Sequence, residues 1–303
     1  MRPQHPDFPL RRFLTVACGM AFLWTAGAPA QERRPLEVRD DLGRTLVLTS
    51  PARRIVSLAP SVTECLFAIG AGSQVAGVTD YCTSPEAARH KPRVGGMLNP
   101  SAEAIISLQP DLVVVSMEGN LKEDAARLTA LQIPVFVTNP RTLAGIRTSI
   151  EQLGLLTGRA AEAAALAGAL KRQEDSLRAS VPRDRVSALL LVSIRPLMVV
   201  GRGTFLHELL EAAGADNIGA RARGTYPSLS RESVLQADPE VLFLLSGMGA
   251  DSTTLRTMYA EWPHLTAVRT GRVHILNADL FSRPGPRAVE GLAHLITLLH
   301  KRP

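Results

Sequence analysis

Only three cysteines occur in this chain of 303 residues, at positions 18, 65 and 82. Cys18 sits in the N-terminal stretch, so a single bridge, Cys65 to Cys82, stays open. Cys65 itself falls in an apolar helical pattern that suits a buried thiol. Beyond the N-terminus no apolar run is long enough to span a bilayer, which excludes a body threaded through a membrane. Basic stripes are missing too: the formal charge is +6, the arginines are scattered, and nucleic acid is excluded as a partner. The chain also lacks a Walker A loop, a G-x-S-x-G elbow, a dinucleotide fingerprint and H-E-x-x-H. His207-Glu208 opens such a pattern but runs into Glu211, and the histidines at 90, 264, 274, 294 and 300 have no metal-ligand spacing. No acid/base or nucleophile constellation stands out, so the expectation is a binding protein and not an enzyme, with no catalytic cofactor or metal.

What is present starts with an address. Arg11-Arg12, the apolar run FLTVACGMAFLWTAGA and Ala28-Pro29-Ala30 follow the order of a secretory signal, predicting cleavage after Ala30 and a periplasmic mature chain from Gln31. Too little apolar sequence precedes Cys18 for a lipoprotein box. Removing residues 1–30 takes away Arg2, Arg11, Arg12 and Asp7 and lowers the formal charge to +4.

The rest says nearly the same thing twice. SAEAIISLQPDLVVV at 101–115 returns as SRESVLQADPEVLFL at 230–244, and Glu64 to Gly70 matches Glu208 to Gly214 in spacing. Around these lie a hairpin over 37–49 with its turn at Asp41-Leu42-Gly43, a short strand in RIVSLAP, and a helix opened by Ser61 and Glu64 as a capping box. A second helix is expected from Asn99-Pro100, with Asn as N-cap. Apolar strands alternating with helices imply parallel sheets covered on both faces. The stretch from Arg159 to Ala179, rich in Ala, Leu, Glu and Arg without Pro, predicts one long helix. The expected fold is α/β, two pseudo-symmetric Rossmann-like lobes joined by a single long helix that limits their relative motion. The domain boundaries are 1–30 for the signal, 31–140 for the N-terminal lobe, 141–182 for the interlobe segment and 183–303 for the C-terminal lobe.

RRIVSLAPSVTECLFAIGAG, GVTDYC, SAEAIISLQPDLVVVS and FSRPGPRAVEGLAHLITLL, in this order, resemble the class III periplasmic binding proteins of iron-chelate and vitamin B12 ABC importers, most closely their cobalamin-binding members. The similarity covers residues 37–301. It implies a ligand held in the interlobe cleft, monomeric action, and delivery to an ABC permease dimer with its cytoplasmic ATPase. It also implies roles for individual residues. Tyr81 and Tyr226 match aromatic cleft positions, Asp279 and Arg283 match a polar pair that bonds corrin amides, and Met97, Ser116 and Met198 fall where relatives often carry further aromatics. Glu103 and Glu232 match surface carboxylates, one per lobe, that dock onto permease arginines. Neither tryptophan serves the cleft, since Trp24 leaves with the signal and Trp262 belongs to a late helix. Alternatives to cobalamin stay open: haem with Tyr81 as iron ligand, a ferric siderophore held by Arg93, Arg202 or Arg283, or a secreted enzyme such as a chelatase on the same lobes.

Overall fold

The computed structural model describes Met1 and residues 35–117, 119–120, 122–246 and 258–301. The expected signal segment, its cleavage point and Cys18 lie outside the described residues. A hairpin comes first, β1 (Leu36–Arg39) antiparallel to β2 (Thr45–Leu48). Its turn is built by Asp40, whose buried Oδ1 accepts the amides of Leu42 at 3.0 Å and Arg44 at 2.9 Å. Gly43 supplies the left-handed residue the turn needs, at φ +79°.

Two sheets then repeat one plan. β3 (Ile55–Ser57), β4 (Val75–Val78), β5 (Leu112–Ser116) and β6 (Val135–Thr138) run parallel in the order β4-β3-β5-β6. β7 (Val186–Ile194), β9 (Ala215–Asn217), β10 (Val241–Leu245) and β11 (Val273–Leu276) run parallel in the order β9-β7-β10-β11, which is the same order strand for strand. The helices between them correspond as well. α1 (Pro60–Ala68) matches α6 (Phe205–Ala212), α2 (Ala102–Ser107) matches α7 (Arg231–Ala237), and α3 (Lys122–Ala130) matches α8 (Thr266–Arg269). The doubled sequence is thus a doubled fold. The second sheet adds β8 (Leu197–Val199), antiparallel to the far half of β7. The strands are runs such as LVVVS and VLFLL with every residue buried, as sheets covered on both faces require.

Two expected helix starts are corrected. α1 begins at Pro60 with Ala59 as an uncapped N-cap, so Ser61 and Glu64 form no capping box. Proline occupies a first-turn position where its missing N–H costs nothing, and Glu64 is drawn away to arginines distant in sequence. α2 is capped by Ser101, not Asn99: Ser101 Oγ accepts the Ala104 amide at 3.2 Å. Gly95, at φ +93°, bridges to Pro100 and keeps that residue extended, outside the helix.

The connection between the sheets is two helices. α5 (Ala160–Ser180) is the expected long one, but α4 (Leu143–Thr157) precedes it, and the chain turns between them at Gly158, φ +72°. α4 buries Leu143, Ile146, Ile150 and Leu153 on one face. A side chain at Gly154 would collide with the Ala163 methyl, so glycine permits the close packing of α4 on α5. Glu174, buried on α5, pairs with Arg147 of α4 and with Arg178, whose guanidinium also reaches Glu208 of α6 at 3.1 Å. α9 (Ala278–Phe281) and α10 (Ala288–His300) close the chain, α10 packing on α5 and α6. One apolar cluster contains Ile55 and Phe136 of the first sheet together with Leu190 and Phe243 of the second. Among the described residues no helix is long and apolar enough to cross a membrane.

Candidate functional site

In parallel α/β sheets the loops at the carboxyl ends of the strands leave a crevice where ligands bind. In the first sheet these loops are tied together by Asn120. Its Nδ2 donates to the carbonyls of Leu58 at 3.0 Å and Met97 at 2.8 Å, while its Oδ1 accepts the Ser116 amide at 2.8 Å. Asn120 was not singled out from sequence; its only signal is a polar residue soon after a buried strand. Tyr81 stands on the loop leaving β4. Arg93 fixes that loop by donating to the carbonyls of Thr79 at 2.6 Å and Cys82 at 3.2 Å, and the tyrosine side of it is open, 58% exposed.

In the second sheet the carboxyl ends of β7 and β10 floor an apolar cavity of about 420 Å³. Tyr226 and Met198 line it with Val192, Phe205, Leu245 and Phe281. The antiparallel β8 brings Met198 there, and a bridge from Met198 to Ser228 carries the Tyr226 loop alongside. Ser282 also lines the cavity, and the next residue reaches the other half: Arg283 donates to the Tyr81 carbonyl at 3.3 Å and to Glu64 at 3.2 Å. Asp279 pairs with Arg283 at 2.6 Å. The fold thus gathers Met198, Tyr226 and, beside them, Asp279, Arg283 and the Tyr81 loop. Ser116 is buried and lines a separate cavity of about 150 Å³ with Leu42, Arg44 and Lys122. Met97 packs partly buried against the core.

Of the candidate arginines, Arg93 is spent on its loop, and Arg202 donates Nε to the Ala220 carbonyl at 2.7 Å. Among the described residues the cysteines are Cys65 and Cys82, both free thiols. Burial, with Glu64 adjacent, pushes the Cys65 thiol far up, and Cys82 Sγ sits 3.1 Å from Thr63 Oγ1 and 3.2 Å from Thr79 Oγ1. Glu103 and Glu232 are exposed second residues of α2 and α7. Each of these helices runs back into a strand of its sheet, so both begin on the carboxyl rim.

The sequence model of the periplasmic binding proteins matches residues 55–280 of the chain. The chain belongs to the periplasmic binding protein family. Among its relatives is a vitamin B12-binding protein of Vibrio campbellii, 31% identical over 259 residues that make up 83% of this chain and 92% of that one. Among solved structures, the periplasmic vitamin B12-binding protein of Vibrio cholerae is 30% identical with a TM-score of 0.73, covering 82% of this chain and 97% of its own. The periplasmic haem-binding protein of Roseiflexus is 26% identical with a TM-score of 0.75, covering 82% and 98%. Such family members bind substrates, and the two parallel sheets seen here are their architecture.

Proposed function

We propose that this periplasmic binding protein captures cobalamin or a related corrinoid between its two halves and hands it to an ABC importer. The observation that carries the reading is the apolar cavity under Tyr226 and Met198, next to the bridge from Arg283 to the Tyr81 loop. A large ring with a polar rim needs such a site: apolar and aromatic walls for its faces and a few polar groups for orientation. In this reading Tyr81 and Tyr226 flank the ligand, Met198 and Met97 widen the apolar wall, Asp279 and Arg283 meet the amide rim, and Ser116 supports the first-sheet side. The vitamin B12-binding names of the relatives support the same ligand. Export with cleavage after Ala30, the lobe boundaries at 140 and 182, monomeric action without catalysis, and docking of Glu103 and Glu232 on the permease dimer complete the proposal.

The similarity to a haem-binding structure supports haem as a second reading, in which the exposed Tyr81 phenol supplies the iron ligand. One experiment separates them: absorption spectra and calorimetry of the purified protein with cyanocobalamin, haemin and a ferric siderophore. Tight binding of cyanocobalamin alone is expected. Binding of haemin with a shifted Soret band and no cyanocobalamin heat would replace the corrinoid with haem.

A further inference from the structure

Arg283 joins the two halves through its guanidinium. Its Nη1 donates to Glu64 Oε1 at 3.2 Å, and its Nη2 to Asp279 Oδ1 at 2.6 Å and the Tyr81 carbonyl at 3.3 Å. Arg287 takes both oxygens of the same glutamate, Nη2 to Oε1 at 2.8 Å and Nε to Oε2 at 2.9 Å. The Glu64 side chain is 5% exposed and that of Arg283 11%. A carboxylate so far from water persists only when paired and hydrogen-bonded, and here both partners come from the other half of the chain. The four linked side chains, Glu64, Asp279, Arg283 and Arg287, sum to zero charge. The nearby Glu290 acts on Arg287 in the same direction as Glu64, so no positive charge is left over.

This balance matters because the cluster borders the cavity. An anionic chelate arriving at Ser282 meets arginines whose charge is cancelled, and it would lose hydration without gaining a cation. A neutral amide rim loses nothing of the kind. It finds the Asp279 carboxylate, 61% exposed, as an acceptor for amide N–H groups.

We propose that Glu64 is a specificity-determining residue: from α1 it cancels the arginines of the 283–287 segment, so the cleft favours a neutral macrocycle and disfavours an anionic one. The inference rests on the corrinoid reading for its preferred ligand, but its charge argument can be tested apart from it. The rival explanation is that the cluster only holds the two halves together, in which case substitutions change stability but not the ranking of ligands.

The experiment compares cyanocobalamin, neutral overall, with haemin, which carries two propionates, by calorimetry at low and high salt. Glu64→Gln keeps the shape and makes the cluster one charge more positive. Its haemin affinity should rise about tenfold relative to cyanocobalamin, the scale of one added charge at a partly exposed site, and the gain should shrink in high salt. Glu64→Asp, which restores the charge, should return the ratio towards wild type even if the melting temperature stays low. Arg287→Gln approaches from the other side and serves if Glu64→Gln does not fold: haemin should weaken about tenfold relative to cyanocobalamin. A haemin-to-cyanocobalamin ratio that stays constant across the folded variants overturns the proposal. If the wild type binds no cyanocobalamin, the corrinoid reading falls. Haemin alone then decides on Glu64: a salt-sensitive gain in Glu64→Gln sustains its role, and unchanged haemin binding ends it.

Discussion

Glu103 and Glu232 hold the same station in the two halves: each is exposed and second in a short helix whose serine cap accepts the amide three residues on, at 3.2 Å for Ser101 and 3.1 Å for Ser230. The Glu232 carboxyl is held below the ordinary carboxylate range, first by its own backbone amide and then by Ser230, so it is ionised at neutral pH. An apolar neighbour repeats with it, since Ile106 and Leu235 are 44% and 39% exposed one turn along. A helix N-terminus welcomes an acid anywhere in its first turn. It does not require the same position in both halves.

Docking on a two-fold symmetric permease does require it, because the two subunits offer the same contact twice. The double variant Glu103→Arg, Glu232→Arg should therefore bind ligand within about twofold of wild type and keep its melting temperature, since exposed charges contribute little to stability. Uptake into vesicles containing the cognate permease should be abolished, because interfacial charges steer and register a complex. Normal uptake would reduce both residues to helix-end acids.

Tyr81 and Tyr226, the proposed walls of the ligand site, should act together. An aromatic contact contributes about 0.5–1.5 kcal/mol beyond the area it covers. Tyr81→Ala with Tyr226→Ala is expected to weaken cyanocobalamin by tens of fold, with Tyr226 the larger single effect because it shares its cavity with Met198 and Phe205. Calorimetry of the two single variants and the double one measures this. Equal losses at the two positions would contradict the cavity argument.

Most of the fold is legible in the sequence because its signals are local. Runs such as LVVVS and VFVT can only be buried strands, and the repeat of Ser-x-Glu before each run marks two equivalent units. The misses have non-local causes. Ser61 and Glu64 have the spacing of a capping box, but the partners that claim Glu64 lie more than two hundred residues away, at Arg283 and Arg287. Gly145 and Gly154 weaken the helical pattern of α4, and only the packing on Ala163 explains the second of them.

Glu174 fastens the connection between the halves. It is buried between Arg147 of α4 and Arg178 of α5. Replacing it with Ala leaves Arg147 without its carboxylate and Arg178 with Glu208 alone, and removing one partner of a buried ion pair costs about 3–5 kcal/mol. Because Arg178 is 41% exposed and regains water, the loss should fall just below that range, about 2–3 kcal/mol. Urea titration of Glu174→Ala checks it; a loss below about 1 kcal/mol would mean that apolar packing alone holds α4 on α5.

His274 gives the protein an acid-sensitive edge. It lies on β11 against Phe243, with ring centroids 5.9 Å apart, and burial, then Arg272, then His294 hold its pKa below the ordinary histidine value. The unfolded chain therefore binds this proton more readily than the folded one, and stability rises with pH across the interval between the two pKa values. The contribution is fully present above the unfolded value of about 6.5 and is lost as pH falls through the lower folded value. His294, one of the groups that lower the His274 pKa, packs on Phe281 with ring centroids 6.0 Å apart. His274→Gln, which stays neutral, should flatten the decline in unfolding free energy between pH 7 and pH 5 while leaving the value at pH 8 little changed. An equally steep decline in the variant would assign the acid sensitivity to other groups.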